Sequence, residues 1–147
     1  MLPIKSAVLV GSLRKESFSR KVAKALISVT PKSAILEILE IGQSPTYNRS
    51  VPALLKNALD SKPCAMINVS IGSLGGFGAN HHLRQSLFFL NEPAMALPEA
   101  YLANASKLFH QTRKLIDPAT GEFLTVFMSS FVDWVQANTH KVRQVNL

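Results

Sequence analysis

The sequence predicts one α/β domain, residues 1–147, built on a doubly wound parallel sheet with helices on both faces. Three observations lead there. Short continuous apolar runs, AVLV at 7–10 and CAMINV at 64–69, are what strands buried on both faces require. Segments of helical period lie between and after such runs. Polar or glycine-rich loops follow the carboxyl ends of the runs, where ligands bind in open parallel sheets.

The elements follow in order. Ile4 to Val10 is a strand, and GSLRKES is the loop after it. Ser17 or Ser19 caps a helix whose apolar face carries Val22 and Leu26, and Pro31 ends that segment. AILEILEI, 34–41, is a second strand with Glu37 and Glu40 turned outward. SPTYNRSVP is a loop, and Ser50 caps a short helix through ALLKNALD. After the Lys62-Pro63 turn, CAMINVS is another buried strand. IGSLGGFGAN holds four of the chain's seven glycines, so the backbone there must bend or approach something closely. HHLRQSLFFL is a helix with Leu83, Leu87 and Leu90 on one face. AMAL, between Pro93 and Pro98, is a short strand; 99–120 is mostly irregular and closes with the turn DPATG. Leu124, Phe127, Phe131 and Val135 mark the buried face of a last helix.

Composition excludes several function classes. With 147 residues and 47% hydrophobic content the chain can bury a core of its own. No run approaches the roughly 18 apolar residues of a membrane span, and no signal-peptide pattern opens the sequence. The single cysteine, Cys64, suits a reducing cytoplasm and lies inside an apolar run, as a packed residue does. The net charge of +7 raises nucleic acid as a partner. The cations are spread out, however, and do not alternate with aromatics, so attraction of phosphorylated or oxyanionic small molecules accounts for the charge equally well. His81, His82, His110 and His140 show no metal-ligand spacing, and no Ser-His-Asp or paired-carboxylate pattern is present. An enzyme without such side chains is most easily one whose cofactor carries the chemistry.

GSLRKESFS lacks the glycines of a Walker loop or a dinucleotide fingerprint. What remains suits one monophosphate: hydroxyls from Ser12, Ser17 and Ser19, the Arg14 guanidinium, and the amides of a helix N-terminus. An ordinary capped helix with a solvated arginine has the same composition. Taken singly, SPTYN and SIGSLGG also read as a turn and a flexible connection. In combination, GSLRKESFS, PTYNRSVPALLKNALD, SIGSLGG and HHLRQSLFFL, in that order, resemble the NAD(P)H-dependent FMN reductase family, which includes flavodoxin-like quinone and chromate reductases. The resemblance runs from about Ala7 to Val135.

It implies a flavodoxin-like domain that binds FMN and carries electrons from NADPH or NADH to a small-molecule acceptor: a quinone, free flavin, azo dye or metal oxyanion. It implies that Ser12, Arg14, Ser17 and Ser19 cradle the FMN phosphate. Pro45, Thr46, Tyr47 and Asn48 would lie by the isoalloxazine, with Thr46 standing where the family carries Glu. Ser70, Gly72, Gly75 and Gly76 would border the ring's other side. No side chain is expected to act as acid, base or nucleophile, and no metal, nucleic acid or membrane is expected as a partner. A homodimer or homotetramer is expected. The family also carries a loop, helix and strand where this chain joins Gln43 directly to Ser44. A parallel crossover needs about a dozen residues or more. Either residues are missing at that junction, with a shorter gap at Asp60–Ser61, or AILEILEI has moved to the middle of a smaller sheet. The first is the expectation; the second would favour a flavodoxin-like binding protein without turnover.

Overall fold

The computed structural model describes residues 3–12, 14–39, 61–89, 91–110 and 115–145. Among the described residues, four strands and four helices follow one another: β1 (Ile4–Leu9), α1 (Phe18–Val29), β2 (Ala34–Leu39), β3 (Ile67–Val69), α2 (Phe77–Phe89), β4 (Ala100–Leu102), α3 (Ala105–Leu108) and α4 (Pro118–Val145).

β1 and β2 pair in parallel from Ile4↔Ala34 to Leu9↔Leu39, with α1 as the crossover between them. α1 starts because Ser17 has extended backbone and its Oγ accepts a hydrogen bond from the Arg20 amide at 3.2 Å. It stops at Thr30, whose hydroxyl donates to the Leu26 carbonyl at 2.6 Å; Pro31 follows. Of the two serines expected as cap, Ser17 takes the role.

β3 and β4 form a second parallel pair, Ile67↔Ala100 to Val69↔Leu102. The strand expected over CAMINVS is regular for only three residues, and a parallel bridge Cys64↔Ala94 extends the contact upstream. AMAL contributes that bridge alone; the strand lies later, at Ala100–Leu102, within the stretch expected to be irregular. Asp117 opens α4, its Oδ2 accepting from the Thr120 amide at 2.8 Å and the Thr120 hydroxyl at 2.5 Å. These bonds favour the ionised carboxylate and hold Asp117 below the usual carboxylate range.

One core joins the two strand pairs. Val22 and Leu26 of α1, Met95, Ala100 and Leu102 around β4, Phe109, and Leu124, Phe127 and Met128 of α4 form a single buried cluster. Leu36, Ile67 and Val69 pack against it from the strands. α4 thus buries the face anticipated from its period, and Trp134 adds a bond from its indole Nε1 to the Pro93 carbonyl at 3.1 Å.

One expectation is corrected. β1 is covered on one face only: Lys5, Ala7 and Leu9 are exposed, as are Ile35, Glu37 and Leu39 beside them on β2. The HHLRQSLFFL helix carries polar residues on its inner face. Leu83 is exposed, and α2, which begins earlier, turns Asn80 and Arg84 inward.

Among the described residues, no strand joins the β1–β2 pair to the β3–β4 pair. A flavodoxin-like order, 2-1-3-4-5, places its third strand at that position. β2 pairs with β1 and with no other described strand, so residues 34–39 do not bridge the two described pairs. The Gln43–Ser44 and Asp60–Ser61 junctions lie outside the described residues, as does the ALLKNALD helix.

Candidate functional site

The first loop leaves β1 at its carboxyl end and enters α1. Val10 is buried, Ser12 half-buried and Arg14 exposed. The Ser17 amide donates to the Arg14 carbonyl at 3.1 Å, which closes the loop into a turn beneath the helix. Ser17 and Ser19 are both half-buried. The bond from the Arg20 amide uses an acceptor lone pair of Ser17, so its hydroxyl proton stays available to a ligand. No acidic residue stands in the first turn of α1, and the helix N-terminus carries partial positive charge. Glu16 is the loop's one carboxylate and is exposed. This donor set fits a phosphate monoester: backbone amides, three hydroxyls and one guanidinium, placed past the end of a parallel strand.

The second loop leaves β3 at Ser70 and enters α2 at Phe77. It is stapled to the segment after β4. The Ser70 amide donates to the Leu102 carbonyl at 2.9 Å, the Ala105 amide to the Ser70 carbonyl at 3.0 Å, and the Asn104 amide to the Gly72 carbonyl at 3.2 Å. The Ser70 hydroxyl oxygen accepts from the Gly72 amide at 3.1 Å. Gly75 and Gly76 have φ of +57° and +82°. A Cβ on Gly75 would come within 2.8 Å of the Tyr101 carbonyl carbon, and one on Gly76 within 3.2 Å of Asn68 Cβ. The close approach expected from the glycines therefore exists, and its partner at Gly75 is the backbone of β4. Ile71, Leu74 and Phe77 stay 70%, 78% and 51% exposed along the same loop, an apolar rim of the kind a flat ring needs.

Sequence reasoning missed what stands behind this loop. Asn68 on β3 and Asn80 and Arg84 on α2 form a hydrogen-bonded chain ending at the Gly76 carbonyl. The available signal was three polar residues within otherwise apolar or helical context, two of them four apart on one helix.

Ser12, Arg14 and Ser17 thus lie in the loop after β1 with Ser19 in the first turn of α1, and Ser70, Gly72, Gly75 and Gly76 lie in the loop after β3. Pro45, Thr46, Tyr47 and Asn48, expected between them, lie outside the described residues. Cys64 is half-buried, and its thiol is pushed up to about 11 by burial and by the Glu92 carboxylate nearby. A thiol held protonated is a packing group and not a nucleophile at neutral pH.

The parallel strand pairs and the crossover through α1 are those of a flavodoxin-like domain. The chain is a member of the NADPH-dependent FMN reductase family, which matches residues 41–107. A quinone reductase of Pseudomonas putida is 42% identical over 177 positions, covering 90% of this chain and 95% of the relative. A 2-hydroxy-1,4-benzoquinone reductase of a Burkholderia species is 28% identical, covering 92% and 98%. Among solved structures, FerB, a flavoenzyme NAD(P)H:(acceptor) oxidoreductase from Paracoccus denitrificans, superposes with a TM-score of 0.79 at 25% identity, covering 92% of this chain and 98% of that one. The expected enzyme class, with FMN as cofactor and NAD(P)H as co-substrate, comes with the family. The P. putida alignment is longer than the 147 residues of this chain, so that relative carries residues this chain lacks.

Proposed function

We propose that this single-domain protein oxidises NADPH or NADH through bound FMN and reduces quinones, with free flavin, azo dyes and metal oxyanions as further acceptors of the same electrons. The observation that carries the reading is the β1–α1 loop. It runs from a strand's carboxyl end to a helix N-terminus and carries Ser12, Arg14 and Ser17, with Ser19 in the first helical turn, in a chain whose relatives bear quinone reductase names. Bound FMN would supply the two-electron chemistry that no side chain here can. The protein's own part is to hold the phosphate by Arg14 and the α1 amides, to border the ring with the Ser70–Gly76 loop, and to leave room for nicotinamide and acceptor beside Ile71, Leu74 and Phe77. Pro45, Thr46, Tyr47 and Asn48 are assigned to the ring by the same reading.

A cytoplasmic homodimer or homotetramer fits the reading. α2 presents Phe88 and Phe89 at 88% and 83% exposure, an apolar pair that a second copy would cover. No described helix is long and apolar enough to cross a membrane.

The test is a spectrum followed by turnover. Purified protein reconstituted with FMN is expected to be yellow and to oxidise NADPH or NADH when benzoquinone is supplied. A colourless protein that FMN cannot saturate would overturn the reading in favour of a binding protein without turnover, whose one supporting observation is that no described strand joins the two strand pairs. Arg14→Ala sharpens the test. Losing a charge-assisted contact to phosphate should weaken FMN binding by about 1.5–3 kcal/mol, roughly tenfold or more. Riboflavin, which has no phosphate, should bind both proteins alike. Equal losses for the two ligands would make Arg14 a structural residue only.

A further inference from the structure

We propose that Asn80 is a positioning residue, the middle member of a one-way hydrogen-bond relay that fixes the glycine loop and so sets how tightly oxidised and reduced flavin are held. The proposal rests on the reading of that loop as the neighbour of the flavin ring.

Asn80 is fully buried, 0% exposed, on the inner face of α2. Its Oδ1 accepts from Arg84 Nε at 2.9 Å, and its Nδ2 donates to Asn68 Oδ1 at 2.6 Å. Asn68 Nδ2 then reaches the Gly76 carbonyl at 3.4 Å, where the Asn80 backbone amide also donates, at 3.1 Å. Arg84 is itself anchored: its Nη1 donates to the Met95 carbonyl at 3.1 Å, and its Nη2 lies 3.7 Å from the Glu99 carboxylate.

A side-chain amide can turn over, exchanging its oxygen and its nitrogen, so a pair of asparagines has no direction of its own. Arginine has only donors. Arg84 therefore forces the Asn80 oxygen toward itself and the Asn80 nitrogen toward Asn68. That nitrogen in turn forces the Asn68 oxygen inward and leaves the Asn68 nitrogen facing Gly76. The direction set at Arg84 arrives at the glycine loop as a donor aimed at a backbone carbonyl. Gly76 has no Cβ to keep Asn68 away, and its φ of +82° allows the carbonyl to point there. A fully buried asparagine satisfied on both sides costs little, whereas one left half-satisfied is unfavourable, so the relay holds one arrangement.

Asn80→Asp tests this at constant shape. A carboxylate still accepts from Arg84 but offers nothing to Asn68, whose amide must turn over. Its oxygen then faces the Gly76 carbonyl, which loses the side-chain donor and keeps only the Asn80 backbone amide. FMN and riboflavin should both bind about tenfold more weakly, since the affected part of the flavin is the ring and not the phosphate. The visible absorption bands of the bound flavin should shift, and the ratio of affinities for reduced and oxidised flavin, read as the reduction potential, should change several-fold. Asn68→Asp is the second variant: it keeps the bond from Asn80 and deletes only the last donor, so it should act in the same direction and decides the matter where Asn80→Asp does not fold. Wild-type protein that takes up no flavin would defeat the underlying reading instead. Wild type that binds FMN, beside folded variants whose spectrum and potential match it, would overturn the relay.

Discussion

Gly75→Ala is expected to destabilise the protein by about 2–4 kcal/mol: about 1–2 from placing an L-residue in the left-handed region, and the rest from crowding. The added methyl would meet the Tyr101 carbonyl carbon and oxygen at 2.8 and 2.9 Å, and neither can swing aside because both belong to the backbone of β4. The strain is relieved only if the loop parts from β4, which would break the bonds that Ser70 and Gly72 make to Leu102, Asn104 and Ala105. A fall in melting temperature of roughly 5–15 °C should result for a domain of this size. Gly72→Ala is the matched control: its nearest neighbour would be the Ser70 hydroxyl oxygen at 3.6 Å, and its φ is not positive. If the two variants melt together with wild type, the loop is not seated on β4 as described. Flavin affinity should follow the same order, with the Gly75 variant much the weaker.

Leu124→Ala should cost about 3–5 kcal/mol, a large share of the roughly 5–15 kcal/mol by which a domain is stable. Leu124 is 0% exposed and sits in α4 among Val22 and Leu26 of α1, Met95, and the β4 side chains. Its removal leaves a cavity that rigid neighbours on three elements cannot all fill. Val126→Ala, two residues away and 59% exposed, removes a comparable apolar group from the outer face and should change stability by less than about 0.5 kcal/mol. Urea titration separates the cases. Equal midpoints for the two variants would mean that α4 does not close this core.

The sequence made the parallel α/β architecture legible because its signals are local. Ser17 before Val22 and Leu26 reads as a capped amphipathic helix, and the structure has that cap. Leu124 and Phe127 read as one buried face, and both are in the core. β4 was missed because Ala100–Leu102 is too short to show a period, and Pro98 just before it reads as a loop residue. The buried face of α2 was not legible because apolar period points only to greasy faces. Here the inner face carries Asn80 and Arg84, whose burial is stabilised by partners distant in sequence. The glycines announced a close approach but not its object, since Tyr101 lies in the strand that was missed. The phosphate loop was legible as chemistry; its assignment to FMN came from the combination of motifs. The interrupted strand alternation at Gln43–Ser44 has a counterpart in the two strand pairs that no described strand joins.

The shared core has a consequence for how the chain is made. β1, α1 and β2 are contiguous and can pair as soon as they are synthesised, but the inner face of α1 is covered by Leu124, Phe127 and Met128. Those residues come about 85 positions after the end of β2, so roughly 4–17 s of translation at about 5–20 residues per second separate the two. Until then Val22 and Leu26 have no helix to pack on, and an early strand pair waits with its apolar side chains in water. Contacts over so long a sequence separation carry a large loop-closure entropy and slow the final step of folding. The early strand pair is therefore most exposed to aggregation before α4 is made, and α1 completes its packing only when α4 arrives.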